Sequence, residues 1–347
     1  MKRLISLFLS VVLCASLFAC KKEEEKAEAE EATTAEVVKV EIDAPEKWTP
    51  EPEVEIDDSG ESTVTPLFYK ATDGEGNVVW LFGSIHIGRE DFYPLPDYVM
   101  NAFNSADALA VEFDIVAFEE DKEALTDMVL MLMYDDGTTI RDHVDPEIYE
   151  SAVEILKENN SYISYYDYFI ASFWAELIDS LVYEEVGVYD MPDGIDEYLI
   201  GKAYKQNKPV LDVESAEYQY GMLADYSEEL QEVLLYSAVD TYKNYDQEQY
   251  LADLDLMLDL WAGGEDGALA EYLSEEGEFE SEEEKRLYEE YNNAMTTVRN
   301  LNMADYAEEA LLSGEEIFIC VGAAHIVGEG ALVDLLTDRG YTVEQVK

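Results

Sequence analysis

Val78-Val79-Trp80-Leu81-Phe82-Gly83-Ser84-Ile85-His86-Ile87-Gly88 and Ile317-Phe318-Ile319-Cys320-Val321-Gly322-Ala323-Ala324-His325-Ile326-Val327-Gly328 are written to one plan. Each is a short apolar run, then Gly-x-x-His, then an aliphatic residue, with another glycine close behind. Short runs rich in β-branched and aromatic residues read as strands buried on both faces. The two lie at opposite ends of the apolar part of the chain, and such strands are buried only if they meet in one sheet. The reading is an α+β domain, α/β-like in its buried strands, occupying residues 63–347 as one unit and not two.

Working outward, Leu67-Phe68-Tyr69-Lys70-Ala71 precedes Asp73-Gly74-Glu75-Gly76-Asn77, and a β-hairpin with the strand through Trp80 follows. A helix is expected over 96–105, then a buried strand over Ala108-Leu109-Ala110-Val111-Glu112-Phe113-Asp114. Residues 119–203 read as a large helical middle region. Lys208-Pro209-Val210-Leu211-Asp212-Val213 is a further strand, and 217–310 is again helical, broken near Gly263-Gly264 and Gly277. Strand 316–321, helix 328–339 and strand 341–346 close the chain.

The N-terminus has another character. Met1-Lys2-Arg3 is followed by a nearly unbroken apolar run from Leu4 to Phe18, then Ala19-Cys20-Lys21-Lys22. The run is shorter than the ~20 apolar residues of a membrane-spanning helix and fits the core of a secretory signal. A small residue before cysteine at its end is what a lipoprotein signal peptidase requires. Residues 1–19 are therefore expected to be removed and Cys20 to carry the lipid, with palmitate among two or three acyl chains, enough for stable attachment. The protein would face the outside of the cell membrane. Residues 20–62, rich in Glu and Ala and then in proline, lack apolar periodicity and read as a disordered acidic tether.

The chain carries 80 acidic residues against 21 basic ones, a formal charge of −59. Phosphate would be repelled, so no nucleic acid is expected as a partner. With 48% hydrophobic and 12% aromatic residues, however, this is no disordered acidic polymer; the acid coats a core. Cys14 and Cys20 belong to the exported leader and anchor, leaving Cys320 as a buried apolar residue.

Only three histidines are present. His86 and His325 share the Gly-x-x-His context at the C-terminal ends of strands, the edge where open α/β sheets gather ligand sites. Gly83 and Gly322 suit close backbone approach there. Glu112 and Glu214 follow apolar strands in the same way, and a carboxylate there must be paired, hydrogen-bonded or cation-bound. Two imidazoles and a carboxylate suit a divalent cation such as Zn²⁺, Mn²⁺ or Fe²⁺, with a second Glu as base. Arg299, one of few cations on the helical stretch, either anchors a substrate carboxylate or pairs with a core Glu. His143, in Arg141-Asp142-His143-Val144-Asp145, reads as a surface residue.

These stretches resemble the TraB/GumN family, which includes the Tiki proteins. The resemblance rests on Trp80 to Gly88 with Tyr93-Pro94-Leu95-Pro96, on Val111-Glu112-Phe113-Asp114, and on Gly194-Ile195-Asp196. It continues through Leu211-Asp212-Val213-Glu214-Ser215, Arg299-Asn300-Leu301-Asn302-Met303-Ala304, Val321 to Gly328, and Gly340-Tyr341-Thr342-Val343-Glu344. Ser84 stands where Thr is common. The resemblance implies a mixed central β-sheet flanked by helices and a metal-dependent hydrolase site, peptidase-like as in the Mn²⁺- or Co²⁺-dependent Tiki proteases. His86, Glu112 and His325 are then the metal ligands (Mn, Co or Zn), Glu214 the base or a further ligand, and Arg299 the residue that orients a peptide or small-molecule substrate. The alternative is a non-catalytic lipoprotein that binds haem or a small ligand, as ChaN-type lipoproteins bind haem. A third is an acidic surface that docks a partner protein.

Overall fold

The computed structural model describes residues 60–188, 194–273, 279 and 281–347. The expected signal segment, the expected anchor Cys20 and the expected tether up to residue 59 lie outside the described residues, as does the break expected at Gly277. Six strands form one sheet: β1 (Phe68–Thr72), β2 (Val78–Ser84), β3 (Ala108–Val111), β4 (Val210–Asp212), β5 (Ile317–Gly322) and β6 (Thr342–Gln345), in the order β4-β3-β5-β2-β1-β6. The strands from the two ends of the chain do meet, with Ser84 opposite Gly322 in a parallel β2–β5 pair. Pairs β5–β3 and β3–β4 are also parallel, whereas β1 runs antiparallel to both β2 and β6. The sheet is thus mixed and the layout α+β. All residues of β3 and β5 are buried, as their unbroken apolar runs require. In the β1–β2 turn, Asp73 Oδ1 accepts the backbone N–H groups of Glu75, Gly76 and Asn77, and Gly76 supplies the left-handed φ of +95°.

Helices wrap this sheet: α1 (Asp97–Ser105), α2 (Ile115–Glu120), α3 (Lys122–Met131), α4 (Pro146–Glu158), α5 (Ala171–Val186), α6 (Ile195–Gln206) and α7 (Ala216–Asp225). They continue with α8 (Glu228–Asn244), α9 (Gln247–Ala262), α10 (Asp266–Leu273), α11 (Glu282–Asn292), α12 (Val298–Ser313), α13 (Ala323–Ile326) and α14 (Leu332–Asp338). Gly83 shows why glycine ends β2. A Cβ there would stand 3.2 Å from Ala323 Cα and 3.2 Å from Leu67 Cβ, so α13 could not lie so close. The carbonyl of Gly83 accepts the buried indole N–H of Trp261 at 2.7 Å, tying α9 to the same point. Gly322 has φ −50° and ψ 142°, open to any residue; its contribution is its N–H, described below.

Three boundaries differ from the sequence reading, each for a local reason. The strand expected over 108–114 stops at Val111 because Asp114 caps α2, accepting the N–H of Ala117 at 3.0 Å. The helix expected from 328 begins at Leu332, since Gly328 (φ +116°) and Gly330 (φ +72°) take conformations a helix does not. His325, expected in a turn, sits in the short helix α13. The consequence for function is topological. β4, β3, β5 and β2 point the same way, so the residues just beyond their C-terminal ends share one edge of the sheet.

Candidate functional site

His86 follows β2 by two residues and is pinned from the far side of the fold. Ile85 O accepts the N–H of Ile195 at 2.9 Å, which seats the start of α6 against the His86 backbone. The fit is so close that a Cβ on Gly194 would lie 2.6 Å from the His86 carbonyl carbon. Asp196, in the first turn of α6, thereby reaches the imidazole, with Oδ2 2.7 Å from Nδ1. A carboxylate only accepts, so Nδ1–H donates. Burial alone would lower the pKa of His86; the charge and hydrogen bond of Asp196, with Glu112 and Glu197 behind them, outweigh it and raise it to about 9.

His325 is held differently. Its Nδ1 lies 2.7 Å from Asn300 Oδ1 on α12. The Asn300 amide donates through Nδ2 to Gly330 O at 3.0 Å, so Oδ1 faces the ring and Nδ1–H is again the donor. Nε2 then carries the lone pair, 3.9 Å from Glu112 Oε1. Burial favours the neutral ring, Arg299 disfavours a second cation nearby, and Glu112 offsets only part of this, so the pKa falls to about 3. His325 is a neutral imidazole at every physiological pH.

Beside His325 stands a buried ion cluster. Arg299 donates from Nη2 to Glu112 Oε2 (2.5 Å) and Glu214 Oε2 (2.8 Å), and from Nε to Glu214 Oε1 (3.0 Å). Gln219 Nε2 lies 2.9 Å from Oε2 of both glutamates. Gly322 N–H donates to Glu112 Oε1 at 2.8 Å. Burial works against the Glu112 charge, but Arg299, the two histidines and Gly322 hold its carboxyl well below the usual carboxylate range. Glu214 is joined to this chain end by its N–H, which donates to Glu112 O at 2.8 Å. A π-helical turn, Asn293–Thr297, leads directly into α12, and Met295 O in that turn accepts from Arg299 Nη1. Such turns recur where a helix must aim side chains at a site; here consecutive residues serve Glu112 and His325.

His86, Glu112, Asp196, Ser84, Gln219, Val111, Phe113, Ile115, Tyr220 and Cys320 line one pocket of about 480 Å³ including its open mouth. One of its buried polar atoms, Asp196 Oδ1, has no hydrogen-bond partner, while the Ser84 hydroxyl faces the Cys320 thiol. Buried orphans of this kind are rare and call for a ligand or water. Of the residues expected from the sequence, Glu112, Glu214, Arg299 and His325 form one cluster, and His86 lines a pocket together with Glu112. Of the two roles left open for Arg299, pairing with core glutamates is the one its contacts show. Asp196, Asn300 and Gln219 were missed as site residues. Asp196 and Asn300 lie in quoted motifs, but nothing in their spacing gives their partners. His143, expected on the surface, instead stacks on Tyr134 with centroids 4.0 Å apart, and its Nε2 is 2.6 Å from Thr138 Oγ1. A ring with two polar neighbours at its edge still buries its face.

Two imidazoles oriented through Nδ1, with a carboxylate nearby, are donors that divalent ions take, and the hydrogen-bonded Nδ1 is the usual orienting contact for a ligating histidine. In chemical type the residues fit such an ion. Among the described residues, however, no three His, Cys, Asp or Glu side chains stand ready-gathered around one point, and both oxygens of Glu112 are already engaged.

A TraB/PrgY/gumN family model matches residues 67–345. The uncharacterized protein YbaP of Escherichia coli (strain K12) is 28% identical over 145 residues, covering 41% of this chain and 50% of YbaP. YbaP of Shigella flexneri matches to the same extent. The chain thus aligns with about half the length of the curated relatives it matches. No solved structure matches.

Proposed function

The chain belongs to the TraB/PrgY/gumN family, and on that premise we propose that it is a lipid-anchored, extracytoplasmic hydrolase, peptidase-like and metal-dependent, acting at the pocket lined by His86 and Glu112. The observation that carries this reading is the convergence of both Gly-x-x-His ends and Glu112 at one sheet edge, beside a pocket with an orphaned carboxylate oxygen on Asp196. His86, Glu112 and His325 would hold the ion. A bound divalent ion supplies Lewis-acid polarisation of the bond to be cleaved.

The remaining work falls to the chain. Asp196 and Asn300 fix which nitrogen each ring presents. Arg299 neutralises Glu112 and Glu214 and holds Glu112 in place. Glu214, with only 2% of its side chain exposed and Arg299 across both oxygens, braces that arginine. Asp196, whose Oδ1 has no partner and which lines the pocket, would accept a hydrogen bond from an attacking water.

Metal content of the full chain tests this. We expect about one equivalent of Mn, Co or Zn, lost in His86→Ala and His325→Ala together with cleavage of a peptide library. A native protein that binds none of the three overturns the reading. Mixing with haemin separates the binding-protein alternative, which requires a Soret band that both variants lose. Anchoring through Cys20 predicts palmitate labelling of the chain in cells; labelling that persists in Cys20→Ser refutes it.

A further inference from the structure

A second pocket touches the same histidine. Ile85, His86 and Ile87 form one wall, Met257 of α9 and Leu269 and Leu273 of α10 the other, with Ala323 of α13 completing it. Its volume is about 360 Å³ including the mouth, and its lining is apolar apart from His86. The first pocket, by contrast, is walled by Glu112, Asp196, Ser84 and Gln219. His86 is common to both. A molecule reacting beside His86 therefore has a polar compartment on one hand and an apolar one on the other.

We infer that the apolar pocket is the subsite for a large aliphatic or aromatic side chain of the substrate, next to the bond acted on at His86. This rests on the hydrolase reading for what that side chain is attached to. Two observations set the substrate class. A concave apolar site with a single polar group at its wall binds by burying carbon and uses the polar group to fix orientation. The formal charge of −59 disfavours acidic substrates. Together they select neutral or basic peptides with Leu-, Met- or Phe-like residues beside the scissile bond.

Methyl-¹³C methionine labelling of the full chain gives a reporter at Met257, assigned by its loss in Met257→Leu. The probes are N-acetyl-leucine amide, N-acetyl-phenylalanine amide and N-acetylglycine amide, titrated without metal and without turnover. We expect a saturable Met257 shift with the first two and binding roughly tenfold or more weaker for the glycine amide, the discrimination that small apolar differences support in such pockets. Leu273→Trp enlarges a lining residue at a partly exposed position at the end of α10 and should weaken the leucine amide about tenfold. Equal binding of all three amides, or no Met257 shift in the native protein, overturns the inference whether or not the variant folds. Because no arm depends on catalysis, a protein that binds no metal yet passes this test loses the hydrolase reading alone.

Discussion

His86 and His325 occupy equivalent places, each beyond a Gly at the end of a parallel strand, and yet they are opposites electrostatically. A carboxylate, Asp196, backs the first; an amide, Asn300, backs the second. Arg299 bears directly on His325, whereas Glu112 and Glu197 add to Asp196 around His86. The same tripeptide spacing therefore yields one imidazole inclined to hold its proton to about pH 9 and one that stays neutral down to about pH 3. Environments that push two titratable groups apart are how one site assigns separate acid–base roles. For His86 the backing carboxylate outweighs burial, and for His325 burial and Arg299 prevail, so the surroundings and not the motif decide the chemistry.

The most damaging way to break the comparison is to remove the cation at the centre of the ion cluster beside His325. Arg299→Leu leaves Glu112 and Glu214 buried without their cation, with 13% and 2% of their side chains exposed. Breaking a buried ion pair by deleting one partner costs about 3–5 kcal/mol. Denaturant unfolding of the full chain should show a loss of that size; a loss below about 1 kcal/mol would mean that water reaches the cluster. Such a variant should also raise the pKa of His325, because the nearby positive charge is gone.

How much of this was legible beforehand follows from the same cluster. The strands, their meeting and their shared C-terminal edge could be read because continuous apolar runs have few other solutions. Five charged or imidazole residues could be read because each follows such a run, or stands out as a lone cation in an acidic chain. Asp196 and Asn300 could not be assigned roles in that way. Asp196 depends on α6 docking against Ile85 and Gly194, a contact between distant segments. Asn300 depends on the π-helical turn before α12, a change of helical register that leaves no periodic signature. His143 was misjudged because polar neighbours in sequence say nothing about the aromatic face contributed by Tyr134.

The comparison sharpens if the backing groups are exchanged. Asp196→Asn should bring His86 from about 9 to the ordinary imidazole value near 6.5 or below; Asn300→Asp should raise His325. Histidine C2–H resonances of chelator-treated protein read both. The exchange has a signature in stability as well. A histidine whose folded pKa is raised contributes stability that is fully present below about 6.5 and is lost as pH rises through the folded value. A histidine whose folded pKa is lowered contributes stability above about 6.5 that is lost as pH falls. His86 therefore tilts stability downward between about pH 6.5 and 9, by up to about 3 kcal/mol at one proton, while His325 and Glu112 tilt it downward on the acid side. Asp196→Asn should flatten the alkaline limb and leave the acid limb standing. If the alkaline limb is unchanged in that variant, Asp196 is not what sets His86.

The smallest effect isolates the pair from the third histidine. His143 lies in another part of the fold, against Tyr134 and within hydrogen-bonding distance of Thr138 and Glu228, and it touches none of the residues around His86 or His325. Its replacement by Ala should cost the stacking and two hydrogen bonds, one of them to an exposed Glu228, about 1–2 kcal/mol, as read from the unfolding midpoint. Metal content and the titrations of His86 and His325 should not move, because both rings take their character from contacts that His143 does not share. A changed titration of either ring in His143→Ala would mean that α8, which carries Glu228, transmits strain to the sheet edge, and that the two environments are not set locally by Asp196 and Asn300.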